Sequence, residues 1–340
     1  MTVIPVACMA LFLLLFANLV LSPEGVHISA SEVWAVILHK LPVARNFLRE
    51  LPAPESETIV WEVRMPRALA AALIGALLGC AGVALQGLLM NPLADPYTVG
   101  VSAGAAVGAA LAEVMGVASL GVGFAGVGMA FVFALAAVTL VYALAQVGGR
   151  VSVHTFLLAG VVVGTFLWSL IPLLLWLTGQ SNQLMRILYY LVGSVQGADW
   201  GRVLLLIPFL LVVWVCLRLW ARELNLMTFG EESAAHLGVE IESFKRRVLF
   251  VGSLATAAAV SVGGIIGFVG LVVPHLARRM VGPDHRVLLP LAALFGSGLL
   301  LASDIAVRVY LSEMPVGIVT SLVGAPFFCY LLRRRQAVAW

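Results

Sequence analysis

The sequence predicts an all-α polytopic membrane protein with about ten transmembrane helices. Three observations predict it. Hydrophobic residues make up 62% of the chain and charged residues only 11%, against about 25% charged in a soluble domain. Apolar runs recur from one end to the other, near the ~20 residues needed to cross ~30 Å of hydrocarbon. Glycines fall repeatedly four residues apart, the spacing that lets helix backbones approach closely. The same arithmetic excludes a soluble enzyme, a disordered chain, a collagen and a nucleic-acid binder. It also excludes a disulfide scaffold, because Cys8, Cys80, Cys216 and Cys329 lie in apolar runs with no CxxC pair.

The first run covers about residues 3–21. No basic residue precedes it and no small-x-small cleavage site follows, so it reads as a retained span. Residues 22–63 are the least apolar stretch and hold Pro42, Pro52 and Pro54. They read as an extracytoplasmic loop with a short amphipathic helix around Glu32 to Leu41. Further runs follow at about 66–89, 97–116, 122–146, 153–177, 201–221, 244–265, 266–281, 287–307 and 315–332. The run at 266–281 is short and merges with its neighbour across Gly263-Gly264. Such breaks are tolerated at membrane depth where protein or a water-filled path satisfies the backbone.

Basic residues set the orientation. With an inside N-terminus, Arg150, Arg218, Arg222, Lys245, Arg246, Arg247, Arg278, Arg279, Arg286, Arg333, Arg334 and Arg335 fall inside. Lys40, Arg45, Arg49, Arg64, Arg67, Arg186, Arg202 and Arg308 fall outside. The tight clusters 245–247 and 333–335 decide the direction, and ten spans put both termini in the cytoplasm. The pairs Gly75 and Gly79, Gly104 and Gly108, Gly160 and Gly164, and Gly263 and Gly267 predict a tightly packed bundle.

Two motifs match by letter and fail by context. Gly121-Val-Gly-Phe-Ala-Gly126 has the dinucleotide spacing but neither the preceding strand nor the later acidic residue. Gly100-Val-Ser102-Ala-Gly104 has the nucleophile-elbow spacing at what reads as a helix start. A nucleotide-binding loop needs Gly-Lys followed by Ser or Thr. The two lysines, Lys40 and Lys245, follow His39 and Phe244 instead. ATP, if used, is therefore bound by another chain. No His, Cys, Asp or Glu cluster has metal-ligand spacing.

Charges inside spans are functional candidates. Glu113 lies near the outer end of its span. Asp304 and Arg308 are four apart on one helix face and are expected to pair. In Phe229-Gly-Glu-Glu-Ser-Ala-Ala-His-Leu-Gly-Val239, Gly230 breaks the chain and Glu231-Glu232 suit the first turn of a short helix. Ala234, Ala235 and Leu237 offer a small apolar face for a partner; a plain connector is the alternative.

Several ordered motifs resemble one family, the permease subunits of type II ABC importers for iron-siderophores, haem and cobalamin. They are Arg64-Met-Pro-Arg67; Gln86 followed by Asn91-Pro-Leu-Ala-Asp-Pro96; Gly100-Val-Ser-Ala-Gly-Ala105; and Gly230 to Gly238. Gly267-Phe-Val-Gly-Leu-Val-Val-Pro-His275 with Arg278, Gly282 and Asp284-His-Arg286 continues the series. Asp304, Arg308, Glu313 to Gly317 and Gly324-Ala-Pro-Phe327 complete it. The resemblance covers nearly the whole chain from Arg64 onward. Met90 departs from it, standing where many members carry arginine.

The resemblance implies one permease domain over residues 1–340, in a homodimer with the pathway along its axis. Two ATP-binding subunits would dock on the cytoplasmic segment 228–240, through Gly230, Glu231, Ala234, Leu237 and Gly238. An extracytoplasmic substrate-binding protein would dock on Arg64, Arg67 and Arg308. Asn91 and Leu93, with Ser152 and Val153 on a second turn, would narrow the pathway on the cytoplasmic side. The chain would be an inner-membrane protein of a prokaryote, without covalent chemistry or cofactor of its own, since ATP and magnesium belong to the partner ATPase. A ferric siderophore is the first expected cargo, with haem and cobalamin as alternatives. The rival from another class is a secondary transporter driven by an ion gradient. That class places ionisable groups near the midplane, where this chain offers almost none. An intramembrane serine protease using Ser102 is a third reading.

Overall fold

The computed structural model describes residues 3–21, 28–40, 53–117, 124–148, 150–177 and 181–334. In chain order the helices are α1 (Val3–Val20), α2 (Ala30–Lys40), α3 (Pro54–Thr58), α4 (Met65–Leu88), α5 (Val101–Val114), α6 (Ala125–Ala145) and α7 (Val153–Leu177). They continue with α8 (Ser181–Val192), α9 (Trp200–Leu219), α10 (Ala221–Met227), α11 (Glu231–His236), α12 (Ile241–Gly263), α13 (Val269–Val281), α14 (His285–Tyr310) and α15 (Val316–Arg334). A ribbon of β1 (Gln146–Val147) and β2 (Arg150–Val151) sits between α6 and α7.

Ten of these helices fill the ten predicted apolar runs: α1, α4, α5, α6, α7, α9, α12, α13, α14 and α15. Seven helical stretches are long and apolar enough to cross a membrane; α5, α13 and α15 are the shorter or less apolar members of the ten. α4 is the central post. Of the most apolar window between Pro54 and Leu88, 83% is buried, against 22% for α7 and α9. A helix buried all round belongs inside the bundle, and one with apolar exposed faces belongs against lipid or a partner.

Small residues make the centre possible. A Cβ on Gly75 would lie 2.1 Å from the Gly296 carbonyl oxygen, so α4 and α14 touch through backbone. Gly79 meets Ala292 in the same way, and Gly104 and Gly108 of α5 meet α6 at Phe133 and Met129. Gly160 abuts Thr98, and Gly263 abuts Ile74. Gly267 has only the Ser321 hydroxyl nearby and Gly164 faces open space, so the packing expectation does not extend to Gly164.

Three features differ from expectation. The second helix does not begin near residue 65. It starts at Pro54 and runs through a wider π-helical stretch, Ile59–Arg64, into α4. Pro66 has no N–H to offer the preceding turn, which accounts for an irregularity just before it. Residues 54–63 are therefore helix and not loop, whereas residues 22–27 and 41–52 lie outside the described residues. Second, α8 was not expected at all. Third, α13 is separate from α12. Gly264 ends α12 at φ +68°, and non-helical backbone runs to Phe268. That backbone is satisfied by protein: Ile265 N–H donates to the Tyr190 carbonyl, and the Tyr97 hydroxyl donates to Ile266 O at 2.9 Å.

The helix around Glu32 forms as expected. Ser29 Oγ accepts the Glu32 N–H, and Glu32 reaches back to the Ser29 N–H at 2.8 Å, a reciprocal N-terminal cap.

Candidate functional site

One end of the bundle gathers α10, α11, the β ribbon and the ends of α4 and α12. After α4 the chain does not leave the protein. Asn91 Oδ1 accepts the Leu93 N–H and Asp95 Oδ1 accepts the Tyr97 N–H, so two short side chains fold the segment upon itself. Pro96 packs into the space left by Gly270, where a Cβ would meet its ring at 2.7 Å. Residues 91–100 thus fold back into the bundle toward the break at 264–268. A short 3-10 helix, Pro96–Val99, meets the non-helical break there, joined by the Tyr97 hydroxyl.

The predicted narrowing residues are only partly brought together. Val153 lines a small space with Leu88, Leu89, Val151, Phe156, Lys245 and Leu249, so the ribbon and the end of α4 face one cavity. Asn91 and Leu93 are half-buried beside it in sequence, while Ser152 is exposed.

Gly230, at φ +97°, turns the chain into α11, a backbone conformation that favours glycine. The expectation for Ala234 is corrected. Its side chain is fully buried inside this chain, because α11 lies with that face against the bundle. The outward surface is made instead by Phe229, 72% exposed, and Leu237, 60% exposed, with Ala235 and Gly238 also exposed. Glu231 points back to the bundle and pairs with Lys245 Nζ at 2.6 Å.

Motif residues without an obvious role at the sequence level join at this end. Asn225 of α10 donates to Asp284 at 2.7 Å and accepts from the His285 N–H at 2.9 Å. The Arg286 N–H and the Asn225 amide hold the Asp284 carboxyl below its usual range. Gln86 donates to the Leu271 carbonyl and accepts from Arg278 at 3.3 Å. These bonds fasten α10 to the start of α14, and α4 to α13.

The opposite end holds the three arginines expected to dock a partner. They do come together, but buried: Arg64, Arg67 and Arg308 are each less than a tenth exposed. The expected exposed patch is thus corrected to an internal cluster. Its cause is the C-terminus of α1, whose last carbonyls have no partner within the helix. Arg64 Nη1 donates to Leu19 O at 2.6 Å, and Arg308 Nη2 donates to the Asn18 carbonyl and, at 3.0 Å, to Asn18 Oδ1. Cations at a helix C-terminus also suit its dipole.

The expected Asp304–Arg308 pair is replaced by another. Asp304 accepts from Arg67 Nε at 2.8 Å and from Asn18 Nδ2 at 3.1 Å. Arg67 Nη1 also reaches Glu313 at 2.8 Å, and Gln196 donates to the same carboxylate at 3.0 Å. Glu113 does not merely reach the interface; it pairs with Arg186 of α8 at 2.8 Å. Sequence reading missed Asn18, although it is a polar residue in an otherwise apolar helix, and gave Lys245 no role beyond its charge. Among the described residues, no group of three or more His, Cys, Asp or Glu could hold a metal ion.

Comparison with known proteins places this geometry. The FecCD transport family profile matches residues 10–334. The cobalamin import system permease protein BtuC of Halobacterium salinarum is 46% identical over 288 residues, 84% of this chain and 76% of that protein. The hemin transport system permease protein HmuU of Yersinia pestis is 38% identical over 282 residues, 82% of this chain and 84% of that protein. A solved metal-chelate type ABC transporter in an inward-facing conformation superimposes with a TM-score of 0.84 at 28% identity. It covers 98% of this chain and 99% of that one.

Proposed function

The chain belongs to the FecCD transport family, an ABC importer permease family, and from that premise we propose that it is the translocating subunit of an ATP-driven metal-chelate importer. It works as a homodimer. Two ATPase subunits seat on the exposed Phe229 and Leu237 around α11, and the α11 end faces the cytoplasm. The excess of basic residues on that side supports this orientation. An extracytoplasmic binding protein meets the other end, where Arg186 and Glu313 are exposed and the three arginines are not.

The observation that carries the reading is the meeting, inside the bundle, of the segment 91–100, which turns back and holds a short 3-10 helix at Pro96–Val99, with the non-helical break at 264–268. A break in the helices lets the two sides of the bundle shift against each other where a continuous helix would not, so this is where movement of α11 would open and close a path. The ion-gradient reading expects ionisable groups at broken helices; the break at 264–268 holds none.

For the cargo, a corrin or porphyrin chelate now stands ahead of the ferric siderophore. The support is that relatives 46% and 38% identical are named for cobalamin and hemin. The test is the absorbance spectrum of the cognate binding protein purified with its ligand. A corrin or haem band supports this cargo. A siderophore charge-transfer band would replace it, and an amino acid or sugar ligand would refute the metal-chelate class.

A further inference from the structure

We propose that Lys245 is the positioning residue that transmits movement of α11 to the ribbon turn preceding α7. This rests on the reading of α11 as the ATPase seat.

Lys245 is 6% exposed, at the start of α12. An ammonium has three protons to donate, and three acceptors surround this one. Glu231 Oε2 of α11 lies at 2.6 Å, Glu242 Oε1 of α12 at 3.4 Å, and the Val151 carbonyl of β2 at 3.4 Å. The second carboxylate oxygen of Glu242 accepts the Val151 N–H at 3.0 Å. Both polar backbone groups of Val151 are thereby held by side chains of α12, and the same ammonium is held by α11. Two residues beyond Val151 lies Val153, which lines a small cavity together with Leu89 at the end of α4. One buried cation therefore touches the proposed ATPase seat and the turn that shares a small cavity with Leu88 and Leu89, just before the segment 91–100.

The arrangement is stiff for a physical reason. Glu231 is the nearest of the three acceptors, and parting a buried ammonium from it leaves only the two 3.4 Å contacts for a charge that its surroundings solvate poorly. A displacement of Glu231 is thus followed by Lys245 more readily than it breaks the pair, and Lys245 carries Val151 with it. The wider surface of α11 is free to fit a partner, since Glu231 is the residue of that helix turned inward to a charge.

A merely structural lysine would affect folded yield but not the ratio of substrate moved to ATP hydrolysed. The experiment therefore reads that ratio, in proteoliposomes holding the permease, its ATPase and its binding protein, with cyanocobalamin or hemin as probe according to the spectrum above. Lys245→Met is expected to keep ATP hydrolysis and lower the transport-to-ATP ratio on the order of tenfold, within the usual range for coupling between two sites. Lys245→Arg, which keeps the charge and the donors, is expected to restore most of it. Should Lys245→Met fail to assemble, Glu231→Ala decides, because it removes the acceptor on α11 while Glu242 still pairs with Lys245. An unchanged ratio in an assembled Lys245→Met complex, or in Glu231→Ala, overturns the proposal. Absence of ATP-dependent uptake by the unaltered complex would instead count against the importer reading itself.

Discussion

The Arg67 guanidinium donates to the Asp304 carboxylate at 2.8 Å, joining α4 to α14 through two residues 237 apart in sequence. Asp304 is fully buried, so the pair is a fixed strut between α4 and α14 rather than a surface contact. Removing one partner of such a pair leaves a buried charge and costs about 3–5 kcal/mol. Arg67→Met and Asp304→Leu should each lower the unfolding midpoint of the purified permease in detergent. The double substitution should cost clearly less than the sum of the two. Additive single effects below about 0.5 kcal/mol would mean that the strut does not form.

The α4–α14 crossing leaves no room for a side chain at Gly75. A methyl group there would fall on the Gly296 carbonyl oxygen. Gly75→Val should destabilise by about 1–3 kcal/mol or more through overpacking. Gly128 has nothing within 4 Å of the corresponding position, so Gly128→Ala should stay within about 0.5 kcal/mol of the parent. Thermal unfolding in detergent compares the two, and equal midpoints would contradict the close crossing.

At α11, burial separates two kinds of substitution. Leu237 is exposed and Ala234 is not. Leu237→Asp should leave folded yield unchanged and reduce the ATPase subunit recovered in co-purification. Ala234→Arg should reduce folded yield, because a charged side chain cannot be accommodated between α11 and the bundle. The reverse pattern would mean that α11 presents its other face.

Orientation is tested by labelling. After replacement of the four native cysteines, Glu55→Cys should react with a membrane-impermeant thiol reagent added to intact cells. Glu240→Cys should react only after the cells are opened. Both positions are exposed, so access depends on the membrane and not on burial. Labelling of Glu240→Cys in intact cells would reverse the assignment of ends.

Much of the architecture was legible because span formation depends on local composition. All ten apolar runs became helices, and Gly75 and Gly79 predicted a backbone-to-backbone crossing. α8 escaped because it is 12 residues long, amphipathic and carries Arg186; neither length nor hydropathy marks it as a span. The charged cluster was legible in membership but not in wiring. Spacing of four suggested a pair between Asp304 and Arg308, yet the approach of α4 delivers Arg67 to Asp304 and leaves Arg308 to the end of α1. The face of α11 was misjudged for the same reason. A six-residue helix with apolar residues at 234, 235 and 237 does not state which of them faces the bundle. Lys245 carried no local signal, since two of its three partners, Glu231 and Val151, lie in other elements.

Uptake by proteoliposomes tests the central account most directly. The permease, reconstituted with its ATPase and its loaded binding protein, should accumulate the chelate only when ATP is supplied to the ATPase side. Collapse of proton and sodium gradients should leave the initial rate unchanged. Uptake that persists without ATP and stops when an ion gradient is dissipated would contradict the account.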